Sequence, residues 1–74
     1  MKIAVYIGAN NDVNGNPRRA FLVMDKNAMV IDVIDEGYNG TSKLMAKYPN
    51  IQVSGRIDVT VEEYEYNLNL DVSV

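Results

Sequence analysis

Residues 51–74 read IQVSGRIDVTVEEYEYNLNLDVSV, and two readings of this stretch lead to two folds. From Ile51 the residues Ile51, Val53, Gly55, Ile57, Val59 and Val61 alternate with Gln52, Ser54, Arg56, Asp58 and Thr60, the period of a half-buried strand. After Glu62-Glu63 the parity switches, and Tyr64, Tyr66, Leu68, Leu70, Val72 and Val74 alternate with Glu65, Asn67, Asn69, Asp71 and Ser73. A hairpin looped at Glu62-Glu63 sets Val61 across from Tyr64, Val59 from Tyr66, Ile57 from Leu68 and Val53 from Val72, so that apolar meets apolar. It also places Arg56 opposite Asn69 and diagonal to Asp71. This hairpin is the favoured expectation. The alternative starts from Thr60, with Glu63 three residues on, which fits a capping box. It makes residues 60–68 a helix with Val61, Tyr64 and Leu68 on one stripe. Glu62-Glu63 lacks the Gly or Asn that tight hairpin loops use. The two readings disagree about Tyr66, which faces the core in the hairpin and lies off the stripe in the helix.

Working back toward the amino terminus, residues 2–8 place Ile3, Val5 and Ile7 on one face and Lys2, Ala4 and Tyr6 on the other, a strand pattern. An Asn-rich connector with Asn14-Gly15 follows, a strong turn signal. Residues 18–25 then read as a second strand, antiparallel to the first. Asp25-Lys26-Asn27 turns the chain into residues 28–35, where Val30, Ile31, Val33 and Ile34 suit a strand covered on both faces. Gly37 and Gly40 bracket Tyr38-Asn39, and Thr41 or Ser42 caps a short helix over residues 43–48, with Leu44, Met45 and Tyr48 on one face, before Pro49 ends it. The expected fold is therefore α+β and β-rich. It is an antiparallel sheet of about five strands, made of a three-stranded meander and a C-terminal hairpin, with one short helix packed on it. The alternative replaces part of the hairpin by a helix over Thr60 to Leu68.

At 74 residues the chain is expected to form one domain spanning 1–74, since chains this short bury only about 60% of their unfolded surface. Cysteine and histidine are absent, which removes disulfides, thiolate or imidazole metal ligands and the usual nucleophile–base pairs. Homodimerisation is one expected remedy for so small a core. The longest apolar run, residues 28–34, contains Asp32 and is far short of the roughly 20 residues of a membrane span. Residues 1–7 do not extend into a signal-peptide core, because Gly8 and the Asn-rich stretch follow at once. A cytoplasmic location is expected.

The net charge of −3 is unevenly distributed. All seven bases lie in residues 1–56, whereas Asp58, Glu62, Glu63, Glu65 and Asp71 follow with no base among them. Such a segment disfavours nucleic-acid phosphate and favours a basic protein surface.

Candidate chemistry is sparse. Ser42, Ser54 and Ser73 have only lysines as conceivable activators, and Ser42 and Lys43 are adjacent and so diverge on a helix. Asp32 with Asp35 and Glu36 is the best carboxylate cluster; its structural reading is pairing with Arg18, Arg19 or Lys2, or exposure at a sheet edge. Residues 10–15, NNDVNG, match the opening of a calcium loop, but Phe21 stands where the bidentate acid belongs. No metal, cofactor or catalytic residue is expected, and the chain is not expected to be an enzyme. Tyr64 and Tyr66 among their acids form a candidate contact surface, so the partner-binding set is Asp58, Glu62, Glu63, Tyr64, Glu65 and Tyr66.

In size, charge and composition, and through no motif, the chain resembles the small acidic inhibitors of phages and mobile elements, including anti-CRISPR and DNA-mimic proteins. That likeness implies a non-catalytic protein that acts by occupying a macromolecular partner. Two alternatives stand beside it. One is a small-anion or nucleotide binder using Arg18, Arg19, Gly40, Thr41 and Ser42, at a helix start that lacks P-loop and dinucleotide spacing. The other is a structural protein that self-assembles through an exposed edge strand.

Overall fold

The computed structural model describes residues 1–35 and 40–70. In chain order the elements are β1 (Ile3–Ala9), β2 (Arg18–Met24), β3 (Val30–Ile34), α1 (Gly40–Lys47), β4 (Gln52–Asp58) and α2 (Val61–Leu68). The fold is α+β, with a mixed four-stranded sheet in the order β3-β2-β1-β4.

The meander forms as its alternation and turns predict. β1 pairs antiparallel with β2, from Ile3 opposite Met24 to Ala9 opposite Arg18, and β2 pairs antiparallel with β3. Both connecting loops use the same side-chain chemistry. Asp12 Oδ1 accepts from the backbone N–H groups of Asn14 and Asn16 at 2.8 and 2.9 Å, and Asp25 Oδ1 accepts from those of Asn27 and Met29 at 2.8 and 3.1 Å. Gly15 takes the left-handed conformation (φ 80°) that the first of these turns requires. The backbone N–H of Asn16 foremost holds the Asp12 carboxyl below its usual range. Asp12, the one carboxylate in the stretch that opens like a calcium loop, thus orders the connector.

The C-terminal hairpin does not form. Its first arm is β4, which pairs parallel with β1 instead of antiparallel with the segment after it. Its loop and second arm, as far as Leu68, are α2, so the helical alternative is the observed one. Thr60 Oγ1 accepts from the backbone N–H of Glu63 at 3.1 Å, and Glu62 and Glu63 lie in the first turn, where the helix dipole favours acids. Val61, Tyr64 and Leu68 turn toward the sheet and Tyr66 is 69% exposed, as the helical stripe requires. Residues 71–74, the end of the expected hairpin, lie outside the described residues.

Strand count and layering differ from the expectation for the same reason. With α2 on one face and α1 on the other, the sheet is covered on both sides rather than one. The first cluster joins Ala4, Phe21, Val23 and Ile34 to Leu44 of α1, flanked by Tyr6, Ile31, Tyr48 and Ile51. The second joins Ile7, Ala9, Ala20 and Leu22 to Tyr64 of α2, flanked by Val5, Val30, Val33, Val59, Val61 and Leu68. Ala4, read as outward-facing, is therefore wholly buried. α1 starts at Gly40, so Thr41 and Ser42 are exposed residues of its first turn, and Met45 is exposed rather than sharing the buried face of Leu44.

β4 carries an extra residue opposite β1, where Val53 pairs with Ala4 and Arg56 with Tyr6. This bulge turns Val53 and Arg56 to the α1 face and leaves Ile57, opposite Ile7, on the α2 face. Among the described residues no helix is long and apolar enough to cross a membrane.

Candidate functional site

α2 is amphipathic, and its two sides have separate work. Tyr64 is the inner anchor, 4% exposed, with its hydroxyl 3.0 Å from Asp35 Oδ1 and 3.2 Å from the Arg19 carbonyl oxygen. On the outer side Glu62, Glu65, Tyr66 and Asn69 follow at i, i+3, i+4 and i+7, one stripe of exposed residues, with Glu63 exposed beside it. The Asn67 and Asn69 amides donate to the Glu63 and Glu65 carbonyls at 2.9 and 2.8 Å, serving the end of a helix that has no base in its last turn. Arg18 Nη2 approaches Glu65 Oε1 only to 3.9 Å, a loose and exposed pair.

Of the six residues expected to form a contact surface, Glu62, Glu63, Glu65 and Tyr66 are exposed together on α2. Tyr64 belongs to the core and cannot meet a partner, because one full helical stripe is needed to hold α2 on the sheet. Asp58 lies on β4 opposite Gly8, on the α1 face, where its Oδ1 accepts from Arg56 Nη2 at 2.8 Å.

The residues of the alternative anion reading are also divided. Arg18 and Arg19 alternate along β2, so Arg18 reaches the Asn10 carbonyl (2.8 Å) and Glu65, while Arg19 shares the parity of Phe21 and Val23 on the α1 face. Thr41 and Ser42 stand exposed on α1 and Gly40 is buried.

The carboxylate cluster separates too. Asp32, 7% exposed, faces α1 and takes the Tyr48 hydroxyl at 2.7 Å, an ion pair from Lys47 on Oδ2, and the Val33 N–H at 2.8 Å on Oδ1. Its side-chain partners thus come from the last residue of α1 and the one after it and not from the bases of the neighbouring strands, and it is not exposed at an edge. Asp35 serves Tyr64 on the other side, and Glu36 lies outside the described residues. Burial pushes the Asp32 carboxyl up, but Lys47, Tyr48 and the Val33 N–H together bring it below the usual range. Among the described residues no three carboxylates gather into a metal site.

Each helix is therefore pinned to the β3 region by one tyrosine–aspartate bond. Burial first, and then the acceptor carboxylate, push both Tyr48 and Tyr64 up to about 12 from an ordinary 10.0. Because the folded state holds these protons more tightly than the unfolded chain, the stabilisation is whole below pH 10 and is lost as pH rises toward 12. Denaturant midpoints are expected to fall across that window in the wild type and to fall much less in a Tyr48→Phe, Tyr64→Phe double variant. An unchanged alkaline fall in the double variant would show that the two hydroxyls do not carry it.

Comparison with protein-family models, with curated proteins and with solved structures returns no match.

Proposed function

We propose that the protein is a non-catalytic, cytoplasmic binding protein whose α2 docks on a basic protein surface. The observation that carries this reading is Tyr66, 69% exposed on the outer stripe of α2 beside Glu62 and Glu65, while the inner stripe is locked into the core. An aromatic ring left in water amid like charges suits a contact residue, because it brings large rigid area while the acids steer a basic partner and reject an acidic one. The scarcity of catalytic residue types supports binding rather than turnover, and an inhibitor of the phage or mobile-element kind is the form of function this design serves.

The test compares wild type with a Glu62→Gln, Glu63→Gln, Glu65→Gln variant and with Tyr66→Ala. All four positions are exposed, so both variants are expected to fold, with Tyr66→Ala melting near the wild type and the triple variant several degrees lower because it loses the two acids of the first turn. Partners captured from a host lysate by the wild type are expected to be lost by both variants and to be released from the wild type by moderate salt. Partners retained equally by both variants would sink the reading.

A further inference from the structure

Helix α1 packs chiefly on β2 and β3, and on β1 its Leu44 meets Ala4 near that strand's amino end. At its carboxyl end three neighbouring strands bring unusual chemistry together. Gly8 of β1 lies between Arg19 of β2 and Asp58 of β4, its partners in the two ladders. Arg56, two residues before Asp58 and on the same face, lays its guanidinium over Gly8. A Cβ built at Gly8 would sit 2.8 Å from Arg56 Nε and 3.2 Å from both Cζ and Nη2, so any side chain there would push the guanidinium away. Gly8 is buried under it, yet the Arg56 side chain remains 42% exposed, open to solvent on its outer side.

The charges in this corner do not balance. Arg56 is held by Asp58 at 2.8 Å, but Arg19 has no ion pair among the described residues, and its buried Nε has no hydrogen-bond partner. Buried donors are nearly always satisfied, and a buried Arg19 Nε without an acceptor among the described residues is a donor that an anion can take up. The place is also the carboxyl end of the two adjacent parallel strands β1 and β4, where open sheets commonly bind ligands.

We propose that Arg19, Gly8 and Arg56 form a seat for the phosphate group of a small phosphomonoester. Two guanidinium forks offer more N–H donors than the single Asp58 carboxylate can take up, which leaves the corner net positive with donors free for the several oxygens of a phosphate group. Gly8 is the floor that lets Arg56 lie flat, and Asp58 is the positioning residue that holds its orientation. The site lies on the face of the sheet opposite α2, so it is independent of the docking surface described above.

The experiment is titration of the full chain with inorganic phosphate and with a simple sugar phosphate at matched ionic strength, read by calorimetry and by thermal melting, with acetate and sulfate as control arms. Phosphate is expected to bind saturably and to raise Tm by at least about 5 °C at a hundredfold excess over Kd. Arg56→Gln and Gly8→Ala, the first half-exposed and the second adding one methyl, are each expected to weaken binding about tenfold or more, as is Arg19→Gln. Should Arg19→Gln fail to fold, the other two variants still decide the matter. No saturable binding, equal binding of acetate, a response that sulfate reproduces without saturation, or undiminished binding by Arg56→Gln and Gly8→Ala would each overturn the proposal.

Discussion

Leu44→Ala is expected to destabilise the protein by about 3 kcal/mol, a large part of what a chain this short holds. Leu44 is 0% exposed and is the one large side chain that α1 commits wholly to the core, where it meets Ala4, Phe21, Val23 and Ile34. Alanine would keep the helix propensity of the position while removing the contact, so the loss reads packing and not helix formation. At roughly 0.05–0.15 kcal/mol per residue, 74 residues hold roughly 4–11 kcal/mol in all, and the variant is left with little margin. Urea unfolding followed by circular dichroism measures it, with the midpoint expected to drop by roughly 1–3 M for a slope of about 1–3 kcal/mol/M. A cost under about 1 kcal/mol would mean that α1 does not close this face of the sheet.

The same logic on the opposite face gives Tyr64→Ala a cost of about 3–5 kcal/mol, the range for truncating a large buried aromatic. Here a second substitution divides the effect. Tyr64→Phe keeps the ring in contact with Ile7, Ala20 and Leu22 but removes the hydroxyl that reaches Asp35 and the Arg19 carbonyl, at a cost of about 1–2 kcal/mol. The difference between the two variants is the contribution of the ring, measured in one denaturation series. If Phe costs as much as Ala, the hydroxyl and not the ring holds α2 in place. Because α2 presents Glu62, Glu65 and Tyr66 outward, Tyr64→Ala is also expected to disturb the docking face without touching any of its residues. Tyr64→Phe should leave that face in place.

These two residues show how the protein manages a small core. It does not divide one core, which its length forbids, but sets a thin layer of apolar contact on each side of a single sheet. Each helix then adds one tyrosine whose hydroxyl finds an aspartate. Tyr48 with Asp32 and Tyr64 with Asp35 let the two helices be held by partly polar side chains at the margins of the core, where ring burial and hydrogen bond act together.

What was legible in the sequence was local. The meander follows from the alternation of residues 2–8, the apolar runs within residues 18–25 and 28–35, and two aspartate-led turns, each complete within five residues. α1 follows from Leu44 and Tyr48 one turn apart and from Pro49. For residues 60–68 both hairpin and helix had local support, and alternation suggested the strand because Tyr64, Tyr66 and Leu68 satisfy a period of two as well as Tyr64 and Leu68 satisfy a helical stripe. The Thr60 cap and the acids of the first turn are local helix signals; burying that stripe against β1 is what tertiary structure added.

Tertiary structure alone decided the rest. A strand's periodicity states which residues share a face but not which strand lies beside it, and the parallel pairing of β4 with β1 arises only once α1 carries the chain back across the sheet. Covering both faces then reverses the meaning of Ala4, which alternation placed outside. The acidic docking stripe could be read in part, because charge segregation is visible in a linear chain. The corner formed by Gly8, Arg19 and Arg56 could not, since its members come from three strands and no spacing links them. Sequence by itself determined the three strands of the meander, their turns and the segregation of acids, which depend on neighbours along the chain. The sheet order, the helix that replaced the hairpin and the placing of Arg56 over Gly8, with Arg19 opposite that glycine in the ladder, depend on which distant segments pack together, and only the folded chain decides that.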